Sequence, residues 1–200
     1  MHEELRTLWQ FDHIKTPDGF GTIPTPYHAF VFNGFYAFDP SHPLLEGIIS
    51  LEDLNCAVSQ PNALYGTRDN FKSILSGRPA SGTGTGTDTD RKPSIQPSNS
   101  THTFTIHRLK LKPLNMPLGS ATVYLQGSRR SSKVRDADEV LNWSVDFPAG
   151  FHDVLDVRVR EFSGKTWDRL EVLYVWADFH YNEVILDWEF CLDDMEVEID

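Results

Sequence analysis

The chain has 200 residues, a net charge of −11, and an aromatic complement of five Trp, six Tyr and thirteen Phe. That length suits one all-β domain (1–200) with a real buried core. The acidic balance excludes a nucleic-acid or anionic-membrane surface, because both need clustered Lys and Arg.

Strand patterns dominate from the first residues onward. Trp9-Gln-Phe-Asp12-His-Ile14 reads as a strand carrying an acidic residue, and Gly19 to Phe32 contains a second strand pattern ending in Tyr27-His-Ala-Phe-Val-Phe32. Asn33-Gly34 marks a turn. Leu51-Glu-Asp-Leu and the stretch from Asp69 to Leu75 each fit a short helical turn. Residues 77–101 hold Gly-Thr repeats followed by Pro, Ser, Gln and Asn, with almost nothing apolar. This composition predicts a long mobile loop inserted in the domain, since it buries too little surface to offset ordering entropy.

Beyond it, Thr103 to Leu111 alternates apolar and polar residues, with a phase slip between Ile106 and Leu109 that predicts a β-bulge. Ala121 to Leu125 is a further strand, and Gly127-Ser and Pro148-Ala-Gly150 read as breaks. From Val154 to Arg160, Leu155, Val157 and Val159 share one face, a half-buried pattern. Ser163-Gly164 and Asn182 mark further turns, and Leu170 to Trp176 reads as a central strand. Phe190 to Ile199 closes the chain with Asp193 and Asp194. The similarity of the two ends predicts an antiparallel sandwich in which they meet. The acidic last strand offers a sheet edge through which a homodimer could form.

No stretch is apolar enough to span a bilayer as a helix. The first six residues carry no hydrophobic signal region, which fits either a cytoplasmic protein or a secreted one whose leader has been removed. Cys56 and Cys191 can pair if the fold brings them together. Sequons stand at Asn99-Ser-Thr and Asn142-Trp-Ser.

The usual catalytic motifs are absent: there is no phosphate loop, no nucleophile elbow and no zinc-binding His-Glu-x-x-His. The His residues are scattered, so neither a catalytic metal nor any other cofactor is expected. What remains is aromatic. Tyr27, His28, Phe30, Phe32, Phe35 and Tyr36 form one cluster, and Tyr65, Trp143, Trp167, Tyr174 and Trp176 supply more. Tyr174 and Trp176 lie two apart and so on one strand face. For each ring the plainer alternative is an ordinary place in the core.

Several of these segments carry a family resemblance. Phe11-Asp12 near the start, Ile23-Pro-x-x-Tyr27-x-x-Phe30-x-Phe32, Ser59-Gln-Pro-Asn-Ala-Leu-Tyr65 and the terminal Leu192-Asp-Asp-Met-Glu-Val197 resemble a group of fungal jelly-roll proteins. The chain departs from their pattern at His13, where a second Asp is common, and at Phe32, where Trp is. The resemblance implies an antiparallel jelly-roll β-sandwich of the carbohydrate-binding-module type. It also implies a structural Ca²⁺ near Asp12, Asp193 and Asp194, which the loss at His13 weakens.

More narrowly, the chain is similar to the fungal hetero-Diels–Alderases of tropolone-sesquiterpenoid biosynthesis. These join a quinone methide to a terpene alkene, a small apolar or aromatic metabolite, without a cofactor. A cycloaddition needs a shaped site that holds both partners and a donor to the polarised carbonyl. On that reading His28, Tyr65, Arg68 and Trp176 are the catalytic candidates, with His28 first choice for a proton shuttle. Tyr27, Phe30, Phe32, Asn62, Trp143, Trp167 and Tyr174 would line the substrate. The competing expectation is a non-catalytic, lectin-like carbohydrate-binding module, and a third is a structural wall protein. A deep apolar pocket would favour the first; an exposed aromatic row with polar neighbours would favour the second.

Overall fold

The computed structural model describes residues 6–68, 92–115, 119–129 and 139–200. Thirteen strands are found among them: β1 (Thr7–Trp9), β2 (Phe20–Thr22), β3 (Phe30–Asn33), β4 (Phe35–Phe38), β5 (Ala63–Gly66), β6 (Ser94–Pro97), β7 (Phe104–Pro113), β8 (Ser120–Arg129), β9 (Glu139–Phe147), β10 (Leu155–Arg158), β11 (Trp167–Tyr181), β12 (Val184–Trp188) and β13 (Phe190–Ile199). One short helix, α1 (Val159–Ser163), and 3-10 turns at Pro43–Leu45 and Leu51–Cys56 complete the described elements. Every strand pairing is antiparallel, so the protein is an all-β sandwich-type domain, as its alternating patterns lead one to expect. No helix among the described residues is long and apolar enough to cross a membrane.

Two long strands organise the sheet. One edge of β13 pairs with β7, and the other is shared by β5 at Phe190–Leu192 and by β1, where Trp9 faces Met195. The two ends of the chain therefore do meet. Strand β11 pairs with β8 along one edge, while its other edge serves β7, β6 and β12 in succession. The phase slip between Ile106 and Leu109 is a bulge. The β7–β13 register runs Lys110 to Asp193, Arg108 to Glu196, then Ile106 to Val197. One extra residue on β13 near Asp194 and one on β7 at His107 cancel, which returns the pairing to its original register.

Burial alternates along β11: Leu173, Val175, Ala177 and Phe179 are buried, while Tyr174, Trp176, Asp178 and His180 are half-buried on the other face. The inner face joins a large core in which the Trp9 ring packs edge-on against Phe30, with centroids 4.4 Å apart. A second cluster gathers Phe38, Leu45, Ala63 and Tyr65 around a Cys56–Cys191 disulfide, whose Cα atoms are 6.0 Å apart. Beside it, the fully buried Lys112 ammonium meets Asp53 at 2.9 Å and Asn55 Oδ1 at 2.9 Å. A buried charge survives only when compensated in this way.

Five expectations change. The strand expected over Trp9–Ile14 is Thr7–Trp9, and the chain turns at Asp12–His13, where Ile14 N–H donates to the Phe11 carbonyl. The last strand, β13, has partners on both edges and so does not offer the free sheet edge expected for a homodimer. Within the proposed 77–101 loop, Ser94–Pro97 is a strand between β3 and β11, and Ile95 is fully buried; the rest of that loop up to residue 91, and the helical turn at 69–75, lie outside the described residues. Gly127 does not break β8 but lies inside it, because Leu170 and Trp167 pack so closely that a Cβ there would sit 2.7 Å from Leu170 Cδ2. The strand expected to run to Arg160 stops at Arg158 and turns into α1, which ends at Gly164 in the left-handed conformation at φ 70°.

Two outcomes test this account. Ile95→Ala should cost about 2–5 kcal/mol in denaturant unfolding, whereas a side chain in a loose loop would change nothing. Replacing both Cys56 and Cys191 with Ala should lower stability by about 2–5 kcal/mol, and intact protein should show no free thiol by mass under non-reducing conditions.

Candidate functional site

The half-buried face of β11 continues across β8 and β9, and register decides what stands beside what. In antiparallel pairs, directly opposed residues project from the same face. Trp176 opposes Tyr124, and Tyr124 opposes Ser144, giving one row across three strands. The row on one side is Tyr174, Gln126 and Asn142; on the other side it is Asp178, Thr122 and Asp146.

The central row is aromatic and then stops. The Tyr124 and Trp176 rings stack nearly parallel, with centroids 5.0 Å apart and planes 10° apart. The Lys92 ammonium lies 3.8 Å from the Trp176 ring centroid, an attraction of about 0.5–2 kcal/mol. Ser144 is small, so no ring fills the third position. An open depression of ≈ 360 Å³ lies here, lined by Lys92, Trp176, Tyr124, Gln126, Asn142 and Ser144, with Leu125 and Trp143 at its floor.

Polar groups border the depression on both sides. Gln126 donates to Asn142 Oδ1 at 2.8 Å. On the opposite side, Thr122 donates its hydroxyl proton to Asp146 Oδ1 at 2.7 Å, and His180 Nε2 lies 3.0 Å from the same hydroxyl oxygen. Because that proton is committed to a carboxylate, His180 Nε2 must be the donor in the second bond. Arg68 reaches Asp178 and lies 2.6 Å from Asp187 Oδ1, tying the end of β5 to the same face.

The residues singled out from sequence divide between this face and the interior. Trp176, Tyr174 and Arg68 belong to the face. Trp143 neighbours it, but alternation along β9 turns its side chain inward, where it meets Phe162 edge-on at 6.0 Å. Phe30, Phe32 and Trp167 are core residues, and the Trp167 indole donates to Ser163 Oγ at 3.1 Å. Asn62 is fully buried and donates to the Phe11 and Ile14 carbonyls at 3.0 and 2.8 Å, so its amide shapes the N-terminal turn and leaves no surface to a ligand. Tyr65 is equally enclosed, against Phe20 and Phe38.

His28 and Tyr27 form a separate group at the N-terminal edge. Their rings meet edge-on at 4.3 Å, and Tyr27 donates to the Gln10 carbonyl at 2.7 Å. Burial, with the Asp12 carboxylate, pushes the Tyr27 hydroxyl up to about 12. Burial, with His13 nearby, pulls His28 below the usual imidazole range. His28, Tyr65 and Trp176 thus stand in three different places.

The three aspartates considered for Ca²⁺ also have other roles. Asp193 accepts from the Val58 and Ser59 main-chain N–H groups at 2.7 and 2.9 Å, and Asp194 pairs with Lys110 at 2.7 Å. Asp12 keeps one buried carboxylate oxygen without a hydrogen-bond partner among the described residues. Among those residues no group of three or more His, Cys, Asp or Glu side chains is placed to hold a metal.

Lys92, Tyr124, Gln126, Asn142 and Ser144 were not singled out as ligand-binding. The alternation of Ala121 to Leu125 exposes Tyr124, but only the non-local register places it beside Trp176. No protein-family model, curated protein or solved structure matches the chain.

The buried Asp193 gives a pH prediction. Burial pushes its carboxyl up to about 6, against the pull of the Asp194 and Ser59 N–H groups. The folded state therefore binds this proton more tightly than the unfolded chain. Its stabilising contribution is complete below the ordinary carboxylate range and is lost as pH rises through about 6. Between pH 7.5 and 4, wild type should gain on the order of 2–3 kcal/mol relative to Asp193→Asn in denaturant unfolding; a constant difference would refute the assignment.

Proposed function

We propose that the outer face of β8, β9 and β11 binds carbohydrate in a non-catalytic, lectin-like manner, on a sandwich of the jelly-roll type that the resemblance implies. The observation that carries this reading is the row Trp176–Tyr124–Ser144, two stacked rings that end at a small residue. A pyranose has an apolar C–H face and a rim of hydroxyls. Seated over Ser144, it continues the stack on Tyr124. Its rim then meets the Gln126 and Asn142 amides on one edge and Thr122 and Asp146 on the other. Stacking supplies area, and the flanking rows supply donors and acceptors for orientation. An open depression suits a sugar within a longer chain. The disulfide supports the same reading, because such bonds persist in oxidising compartments, where extracellular glycans are met.

A second reading is favoured by the company of Trp176, Tyr174 and Arg68 on one face. There a flat conjugated heterodiene would stack in the same slot, with the Lys92 ammonium and the Gln126 amide as donors to its carbonyl. This is the cofactor-independent hetero-Diels–Alderase expected from the narrower resemblance. Holding the diene and a terpene alkene together would remove the entropy of their encounter.

One experiment separates the two. The protein is titrated calorimetrically with a panel of soluble oligosaccharides and, separately, incubated with a quinone-methide precursor and a humulene-type alkene. The glycan reading expects saturable sugar binding that Tyr124→Ala weakens roughly tenfold, and that Ser144→Phe abolishes by filling the slot, with unchanged melting temperatures. Accelerated cycloadduct formation without sugar binding would overturn it in favour of the pericyclase.

A further inference from the structure

The two sequons occupy different settings, one in an exposed turn and the other in the middle of a strand. Asn99 lies in an exposed turn, residues 98–102, that follows β6. The turn is closed by His102 N–H donating to the Asn99 carbonyl at 3.0 Å, and its base is pinned by Ser98 N–H to the Ala29 carbonyl at 2.8 Å. Within the sequon itself, Asn99 Oδ1 accepts from both the main-chain N–H and the hydroxyl of Thr101, at 3.0 and 2.9 Å. Its Nδ2 makes no hydrogen bond among the described residues. The amide oxygen is thereby held in an exposed side chain.

Asn142 is also exposed and its amide oxygen is also held, but its backbone setting differs. It lies in the middle of β9, its main chain paired with Gln126 and its side-chain oxygen accepting from the same residue. A sugar there would stand in the depression. Asn99 is at the far end of β6 from Lys92, so a sugar there leaves the β8–β9–β11 face open.

We propose that Asn99 carries an N-linked glycan when the chain matures in a secretory compartment equipped for that transfer. The Cys56–Cys191 disulfide is the independent observation, since the bond forms in the compartment where N-glycans are attached. In the step, Asn99 Nδ2 forms a bond to the anomeric carbon of a lipid-pyrophosphate-linked oligosaccharide. The bond from that carbon to the pyrophosphate oxygen breaks, the lipid pyrophosphate leaves with the electron pair, and the amide proton passes to the transferring enzyme. The glycan is bulky and solubilising, and here it covers a surface turn whose strand is anchored by the buried Ile95.

The test is secretion from a eukaryotic host in an Asn142→Gln background, so that any N-glycan reports on Asn99. Release with a glycan amidase in heavy-oxygen water converts an occupied Asn to labelled Asp, read by peptide mass. The expected result is labelled residue 99, lost in Asn99→Gln and in Thr101→Ala and retained in Thr101→Ser. Secreted, disulfide-bonded protein with unmodified Asn99 would overturn the proposal.

Discussion

Strand β13 has both edges committed, and the rest of the structure depends on that constraint. Along β7 its pairing is nearly continuous, while its other edge is divided between β5 and β1. Cys191 and Asp193 then attach the second 3-10 turn and the irregular segment after it by two different means. A covalent bond reaches Cys56, and the Asp193 carboxylate holds the Val58 and Ser59 N–H groups. The buried Lys112–Asp53 pair adds a third tie from the neighbouring strand. A region with little regular structure is thereby fixed around the small second cluster that holds Cys56 and Ala57.

Rigidity at one end has a use at the other. The inner residues of β11 fill the main core and its outer residues carry the aromatic row, so the same strand serves both. Tyr124 and Trp176 are opposed by register and need no loop to hold them in place. A site supported on paired strands keeps its geometry before a ligand arrives, which removes an ordering cost from binding.

Much of the fold was legible in the chain. Alternation marked β7, β10 and β11, the slip at Ile106 to Leu109 marked the bulge, and the like ends marked the β1–β13 pairing. Strand β6 was not legible, because Ile95 is the single large apolar residue in its segment and the strand is imposed by β3 and β11 on either side. Gly127 looked like a break because glycine more often marks turns; a close contact with Leu170 is invisible without the partner strand. The candidate site was half legible. Tyr174 and Trp176 were correctly placed on one face by a two-residue spacing. Asn62 and Tyr65 attracted attention by residue type, yet burial depends on long-range packing that local sequence does not carry. Lys92 and Ser144 were hidden for the same reason: each matters only through a neighbour distant in the chain.

Ser144 joins two traits in one codon. It is the small residue that ends the aromatic row, and it is also the third residue of the Asn142-Trp-Ser sequon. A change to Ala would erase the acceptor motif and leave the gap; a change to Thr would keep the motif and narrow the gap; a change to any aromatic would remove both at once. Among substitutions at this position, only Thr keeps the acceptor motif, and it does so by narrowing the gap, so retaining modification and retaining the full slot together requires Ser144 itself.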